Sequence, residues 1–494
     1  MAQPVIRGVG VTPSEQYVAG LCERTFLSLW SYPGIYRDQR IAERSEGKEL
    51  ADLIVVFEND IIIFSDKRCG YPETGNAELD WSRWFRKAID AGARQAWGAE
   101  RWLRAHPDRL FLDRACAQAF PYDLPEPAKA RFHIIVVAHE VAAACAATIG
   151  GSGSLMIRSD LRGLTNHTIP FTVGDLDTGR TFVHVFDDTS LDIVMRTVDT
   201  IADFVAYLTK KASFLRSGRD VFAAGEEELL AWYLKHANAS GEHDFLFPPE
   251  VNGSIGLLEG GWLEFQTNPQ RLAQIEHDEV SYFWDRMIEE FNKHALNGTQ
   301  YKVSSGAFRD SERTFRFLAR ECRTRRRMLS AAWMRMLSNT SAKQDRRRFM
   351  TPSCAGDPYY VFLLAAQQDF LTYEEYREYR GAHLEACIRV LKLLYPDALD
   401  IVGIAMDSGL ETPNRSEDAM YFDARNWNDA DQRDAQEVQE KFRIFIEPKP
   451  VYERVSEYPA VTVDGRLVHP VPRNPRNRPC PCGSGVKYKK CHGQ

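Results

Sequence analysis

Two groups of residues have the types and spacing to do chemistry. The first lies in GKELADLIVVFENDIIIFSDK, residues 47–67. Asp52 opens one apolar run, LIVVF, and Ser65-Asp66-Lys67 closes the next, IIIF. Carboxylates at the mouth of a sheet can hold Mg(II) or Mn(II), and a lysine beside them can stabilise charge developing on a phosphate. The second group is Cys480, Cys482, Cys491 and His492. These four soft or borderline ligands can close a tetrahedral Zn(II) shell. A fragment this short buries no core, so metal binding would have to supply its folding energy.

Side chains alternate along a strand, so Asp52, Ile54 and Val56 share a face, as do Ile63, Ser65 and Lys67. The turn decides how the two faces meet. A two-residue turn at Asn59-Asp60 pairs Glu58 with Ile61 and sets Asp52 opposite Lys67, about 5 Å apart at Cβ. A three-residue turn sets Asp52 opposite Asp66 instead. Two-residue hairpins are the commonest, which favours the carboxylate–ammonium pair. The bland alternative is an ion pair at a strand end, worth less than about 1 kcal/mol. Against it, both runs are apolar on both faces, so the pair emerges at the edge of a covered sheet, where α/β proteins place their sites.

The elements that must position these residues follow in order. Thr12-Pro13-Ser14-Glu15 is a helix start with a capping box, and the helix should end before Tyr32-Pro33-Gly34. The hairpin comes next. A long helix then starts near Asp80 and carries Trp84, Phe85, Ile89, Ala93, Ala96 and Trp97 on one stripe. Strands are expected at 133–140, 154–158 and 181–187, with a helix from Ser190 to Leu215. This order describes an α/β layer with a mixed sheet.

The hairpin and its flanking helices resemble the PD-(D/E)XK nuclease family. The resemblance implies a restriction-endonuclease-like mixed sheet flanked by helices, with Mg(II)- or Mn(II)-dependent cleavage of DNA or RNA. Asp52 matches the family's first acid and Lys67 its lysine. Glu23 falls where relatives carry an auxiliary ligand, and Gln95 where some carry a glutamine. The family's middle acid would stand at position 65, where this chain has Ser65. Asp66 or Glu49 is the expected replacement, with Asp52 and Asp66 as the expected Mg(II) ligands.

The C-terminal stretch resembles the SEC-C motif on Cys480, Cys482, Ser484, Gly485, Lys490, Cys491 and His492. That likeness implies structural zinc and docking onto a protein or ribosome. The chain has no GxxxxGK[ST] phosphate loop.

The expected parts are a nuclease-like α/β domain over 1–216, a mainly helical accessory domain over 217–446, a proline-rich linker over 447–473 and a zinc module over 474–494. Arginines from Arg313 to Arg327 could form a basic helix stripe, or could be paired with nearby acids. With 494 residues, 27% charged residues and a net charge of −7, the chain is ordinary for a globular protein, and nucleic-acid binding would need local basic patches. It has no run of eighteen apolar residues and no secretory pattern at its start, so a cytoplasmic location without membrane contact is expected. The expected function is a metal-dependent nuclease in genome defence or nucleic-acid quality control. The competing expectation is a non-catalytic adaptor that docks through the zinc module on a ribosome, chaperone or partner protein.

Overall fold

The computed structural model describes residues 4–38, 46–248, 253–303, 308–353, 356–409, 415–448, 451, 455–459 and 487. The chain divides into two compact units, one of residues 1–271 with 289–309, the other of residues 272–288 with 310–494. Both are mixed α/β. No described helix is long and apolar enough to cross a membrane.

In the first unit the helices include α1 (Pro13–Phe26), α2 (Ala77–Phe85), α3 (Ala91–Ala105), α4 (Ala142–Ile149), α5 (Ser190–Thr197), α6 (Ile201–Leu215) and α7 (Glu226–Lys235). The strands are β1 (Ser31–Arg37), β2 (Lys48–Phe57), β3 (Asp60–Arg68), β4 (Arg131–His139), β5 (Met156–Arg162), β6 (Thr172–Asp175), β7 (Val183–Asp187), β8 (Asp220–Ala223) and β9 (Ser254–Leu257). Thr12 caps α1 with the expected capping box. The α1 helix stops at Phe26, where Leu27 takes φ 65°, and Tyr32-Pro33-Gly34 lies within edge strand β1. Proline is tolerated on an edge strand. The expected helix over 190–215 is two helices, because Thr200 caps a new start at Ile201.

Five strands form the main sheet in the order β1-β2-β3-β4-β7. The β1–β2 and β2–β3 pairs are antiparallel, whereas β3–β4 and β4–β7 are parallel. Both faces are covered. On one, Phe26 of α1 meets Phe64 of β3 at 6.2 Å and Phe204 of α6 at 5.1 Å between ring centroids. On the other, α3 comes so close that a Cβ at Gly92 would lie 3.0 Å from Val136 and 3.3 Å from Lys67 Cγ. A π-turn, Arg86–Asp90, joins α2 to α3. A second sheet runs β6-β5-β8-β9. Its β5–β8 pair, Ile157 with Ala223, spans the expected boundary at residue 216, and the unit continues to residue 271.

The hairpin turn lies one residue earlier than expected. Phe57 pairs with Asp60, so Glu58-Asn59 make the turn and Glu58 takes φ 52°. Asp60 belongs to β3 because its buried carboxylate is bonded to the neighbouring strand. Arg131 of β4 reaches it at 2.5 and 2.8 Å, and His133 Nε2 lies 2.9 Å away. The turn therefore moves the register by two residues, which keeps every side chain on its expected face.

The second unit holds helices Phe308–Ala319, Arg323–Ser338, Tyr373–Leu394 and Asp429–Phe442 together with a four-stranded sheet. Its central strands, Tyr359–Ala365 and Asp400–Asp407, are buried and parallel. Helices and this sheet together build the unit. Arg325, Arg326 and Arg327 are buried. Arg326 bonds Asp285 at 2.7 Å and Arg327 bonds Asp278 at 3.1 Å, so these cations serve the interior rather than a basic stripe.

Replacing Asp60 should weaken the first unit measurably. Burial opposes the Asp60 charge, but Arg131 and His133 overcome it and hold the carboxyl below its ordinary 3.8. Its contribution is therefore present above pH 3.8 and is lost as pH falls through the lowered value. Asp60→Ala leaves Arg131 and His133 without their acceptor and should cost about 3 kcal/mol in urea unfolding at pH 7.

Candidate active site at the mouth of the hairpin

One step beyond the last ladder pair, Leu53 with Phe64, Asp52 stands opposite Ser65 rather than Lys67. Lys67 lies diagonally on the same face and reaches Asp52 Oδ2 with its Nζ at 3.3 Å. The backbone N–H of Asp66 donates to the same oxygen at 2.6 Å. Gln95 Nε2 of α3 donates to Asp52 Oδ1 at 3.2 Å, and Ser65 Oγ is 3.5 Å from Gln95 Oε1. Three elements thus bring Asp52, Lys67 and Gln95 together, and the tight approach at Gly92 sets their spacing.

Burial pushes the Asp52 carboxyl above its ordinary value, against the opposing pull of Lys67, the Asp66 N–H and the Gln95 amide. Glu49 is also raised, first by burial and then by the charges of Asp52 and Glu15, with Lys67 opposing. Glu49 comes under the influence of Asp52 although strict alternation would put them on opposite faces. The cause is an irregularity in the β1–β2 ladder. Ile35 pairs with Ala51 and Tyr36 with Glu49, so Leu50 is an extra residue. A bulge of this kind re-aims the side chains beside it. Its sequence signal is slight: two acids separated by three positions at the start of an apolar strand.

The other expected site residues lie elsewhere. Asp66 turns its carboxylate to the opposite face of β3, away from the group around Asp52. There it accepts from Ser14 Oγ at 2.6 Å and meets His139 Nε2 at 2.6 Å. His139 Nδ1 in turn meets Asp188 Oδ1 at 2.9 Å. Glu23 pairs with Arg7 at 2.8 Å and has a side chain 48% exposed. Only Asp66's backbone, through its N–H, serves the Asp52 group.

Mg(II) usually takes one or two protein carboxylates and fills its octahedral shell with water and substrate phosphate. Asp52 and Glu49 supply that number, and the upward push on both marks a place where added positive charge would be favourable. Among the described residues no group of three or more His, Cys, Asp or Glu is arranged to hold a metal by itself. Cys480, Cys482, Cys491 and His492 lie outside the described residues.

The clamp of His139 between two aspartates ties the far side of the site together. Burial disfavours the imidazolium, but Asp188 and Asp66 outweigh it and raise His139 from 6.5 to about 9. The stabilisation is complete below pH 6.5 and is lost as pH rises through about 9. His139→Ala should cost about 3 kcal/mol at pH 6 in urea unfolding, and its deficit against the parent should shrink at pH 10.

Residues 476–494 match the family model described as SEC-C motif. A short part of the chain is similar to part of the protein translocase subunit SecA from several bacteria. It is 54% identical to that of Acinetobacter baylyi over 43 residues, which is 9% of this chain and 4% of the relative. It is 61% identical to that of Methylibium petroleiphilum over 36 residues, 7% of this chain and 4% of the relative. Against Anaeromyxobacter sp. the identity is 37% over 71 residues, 13% of this chain and 7% of the relative. The chain thus covers less than a tenth of the length of these curated relatives. No solved structure matches the chain.

Proposed function

We propose that the first unit is a metal-dependent nuclease of PD-(D/E)XK type, hydrolysing phosphodiester bonds in DNA or RNA. The observation that carries this reading is the convergence of Asp52, Lys67 and Gln95 from β2, β3 and α3 at one mouth of a mixed sheet. The order helix, antiparallel strands, helix, parallel strand is the order such a core requires. Asp52 and Glu49 would hold Mg(II) or Mn(II), with Glu49 taking the part expected of Asp66. A divalent ion bound there would polarise the phosphate and lower the pKa of a bound water. Lys67 supplies positive charge where the phosphate oxygens gain negative charge. Gln95 and the Asp66 N–H hold both oxygens of Asp52, so the carboxylate is oriented before substrate arrives.

The carboxyl-terminal cysteines and His492 would bind structural zinc, and the SEC-C module would dock the enzyme onto a protein or ribosome. A genome-defence or nucleic-acid quality-control role fits a nuclease joined to a docking module. One observation favours the adaptor reading instead: position 65, where the middle acid would stand, carries Ser65. An adaptor would bind through both parts and cleave nothing.

Cleavage of end-labelled DNA and RNA in Mg(II) or Mn(II) separates the two. The parent should cut, and Asp52→Asn and Lys67→Ala should each lose about 100-fold or more in rate. Asp52→Asn should also unfold no earlier than the parent, because it removes a charge that burial disfavours. Equal rates in parent and variants would remove the site. No cleavage by any form would favour the adaptor. A marked loss of stability in Asp52→Asn would favour a purely structural ion pair.

A further inference from the structure

We propose that the cleft beside Asp52 binds the sugar-phosphate backbone of a single nucleic-acid strand, a proposal that rests on the nuclease reading of the adjoining site. The cleft has a volume of about 390 Å³. Arg37 at the end of β1, Lys48 at the start of β2 and Arg101 of α3 line it, together with Glu49 and Gln95. The last two belong to the group around Asp52, so cleft and site are continuous.

Cations outnumber acids among the residues that line this cleft. Among the described residues Arg37, Lys48 and Arg101 form no ion pair, whereas Arg94, beside them, is bonded to Asp90 at 2.6 Å. In a chain of net charge −7, three cations sharing one concavity with a single unpaired acid, Glu49, form a local attractor for a polyanion. Arg37 is also held in place. Its guanidinium lies 4.4 Å from the centroid of the Trp102 ring. Stacking engages the flat face of the guanidinium and leaves its N–H edge for bidentate contact with phosphate oxygens. The volume is on the scale of a small-molecule pocket and has room for one sugar-phosphate backbone. Glu49 at the Asp52 side repels a bare phosphate, so the strand is held by the three cations and its next phosphate is presented at the site.

The test is binding without cleavage. Full-length protein in EDTA is titrated against a fluorescein-labelled single-stranded oligonucleotide, read by anisotropy at several salt concentrations. The probe should bind. An Arg37→Gln, Lys48→Gln, Arg101→Gln triple variant, checked for an unchanged unfolding transition, should bind at least tenfold more weakly. The slope of log affinity against log salt should shrink in magnitude by about 2, as three lost contacts to a single strand require. Asp52→Asn should bind as tightly as the parent or more tightly. Unchanged affinity and slope in the triple variant would overturn the proposal, because the charge would then be acting elsewhere, such as at Arg473, Arg476, Arg478, Lys487, Lys489 and Lys490. So would failure of the parent to bind the oligonucleotide. Binding lost in the triple variant but no cleavage by the parent in Mg(II) would keep the cleft and sink the hydrolytic reading. Cleavage with binding unaffected by the triple variant would do the reverse.

Discussion

Burial of the Asp60 carboxylate against Arg131 and His133 is the constraint from which the site follows. It fixes Asp60 as the first residue of β3 and forces the turn onto Glu58-Asn59. That register puts Asp52 opposite Ser65, with Lys67 one diagonal step away and the Asp66 N–H aimed at the Asp52 carboxylate. A slip of one residue would send Lys67 to the far face. The same pair of charges also joins the hairpin to the parallel half of the sheet, so the register is anchored from outside the hairpin itself.

The two faces of β3 have different tasks. Toward α3 stand Ser65 and Lys67, with Gly92 admitting the helix close enough for Gln95 to bond Asp52. Toward α1 stands Asp66, clamped by Ser14 and His139. The clamp reaches the first face through the Asp66 peptide. Asp52 is thus a buried carboxyl group whose charge burial disfavours and three donors favour. In the proposed function, that arrangement would give a group that receives a cation a defined direction.

Much of this was legible in the chain. Alternation along LIVVF and IIIF put Asp52 and Lys67 on one face, and that relation survived the change of register because the change was of two residues. The cap at Thr12 and the long helix bearing Gln95 follow from local chemistry. The turn position was not legible, because Asp60 looks like a turn residue until Arg131 and His133, more than seventy residues later, are brought beside it. Nor was the extra residue at Leu50, which depends on how β1 pairs, so Glu49 could be named only as one alternative to Asp66. Arg325 to Arg327 could be read as a basic stripe or as paired with acids, because helical spacing alone does not reveal the aspartates that receive them. The SEC-C module was legible from Cys480, Cys482, Cys491 and His492 alone, since its chemistry is local.

The central claim is that Asp52 and Glu49 are poised for a divalent cation. Crystals of the full-length protein soaked in Mn(II), with data collected to record its anomalous scattering, address it most directly. The account predicts an anomalous peak in contact with both carboxylates, on the face bearing Lys67 and Gln95, that disappears in Asp52→Asn. Mn(II) bound elsewhere with that position empty, or a peak that survives Asp52→Asn unchanged, would contradict it.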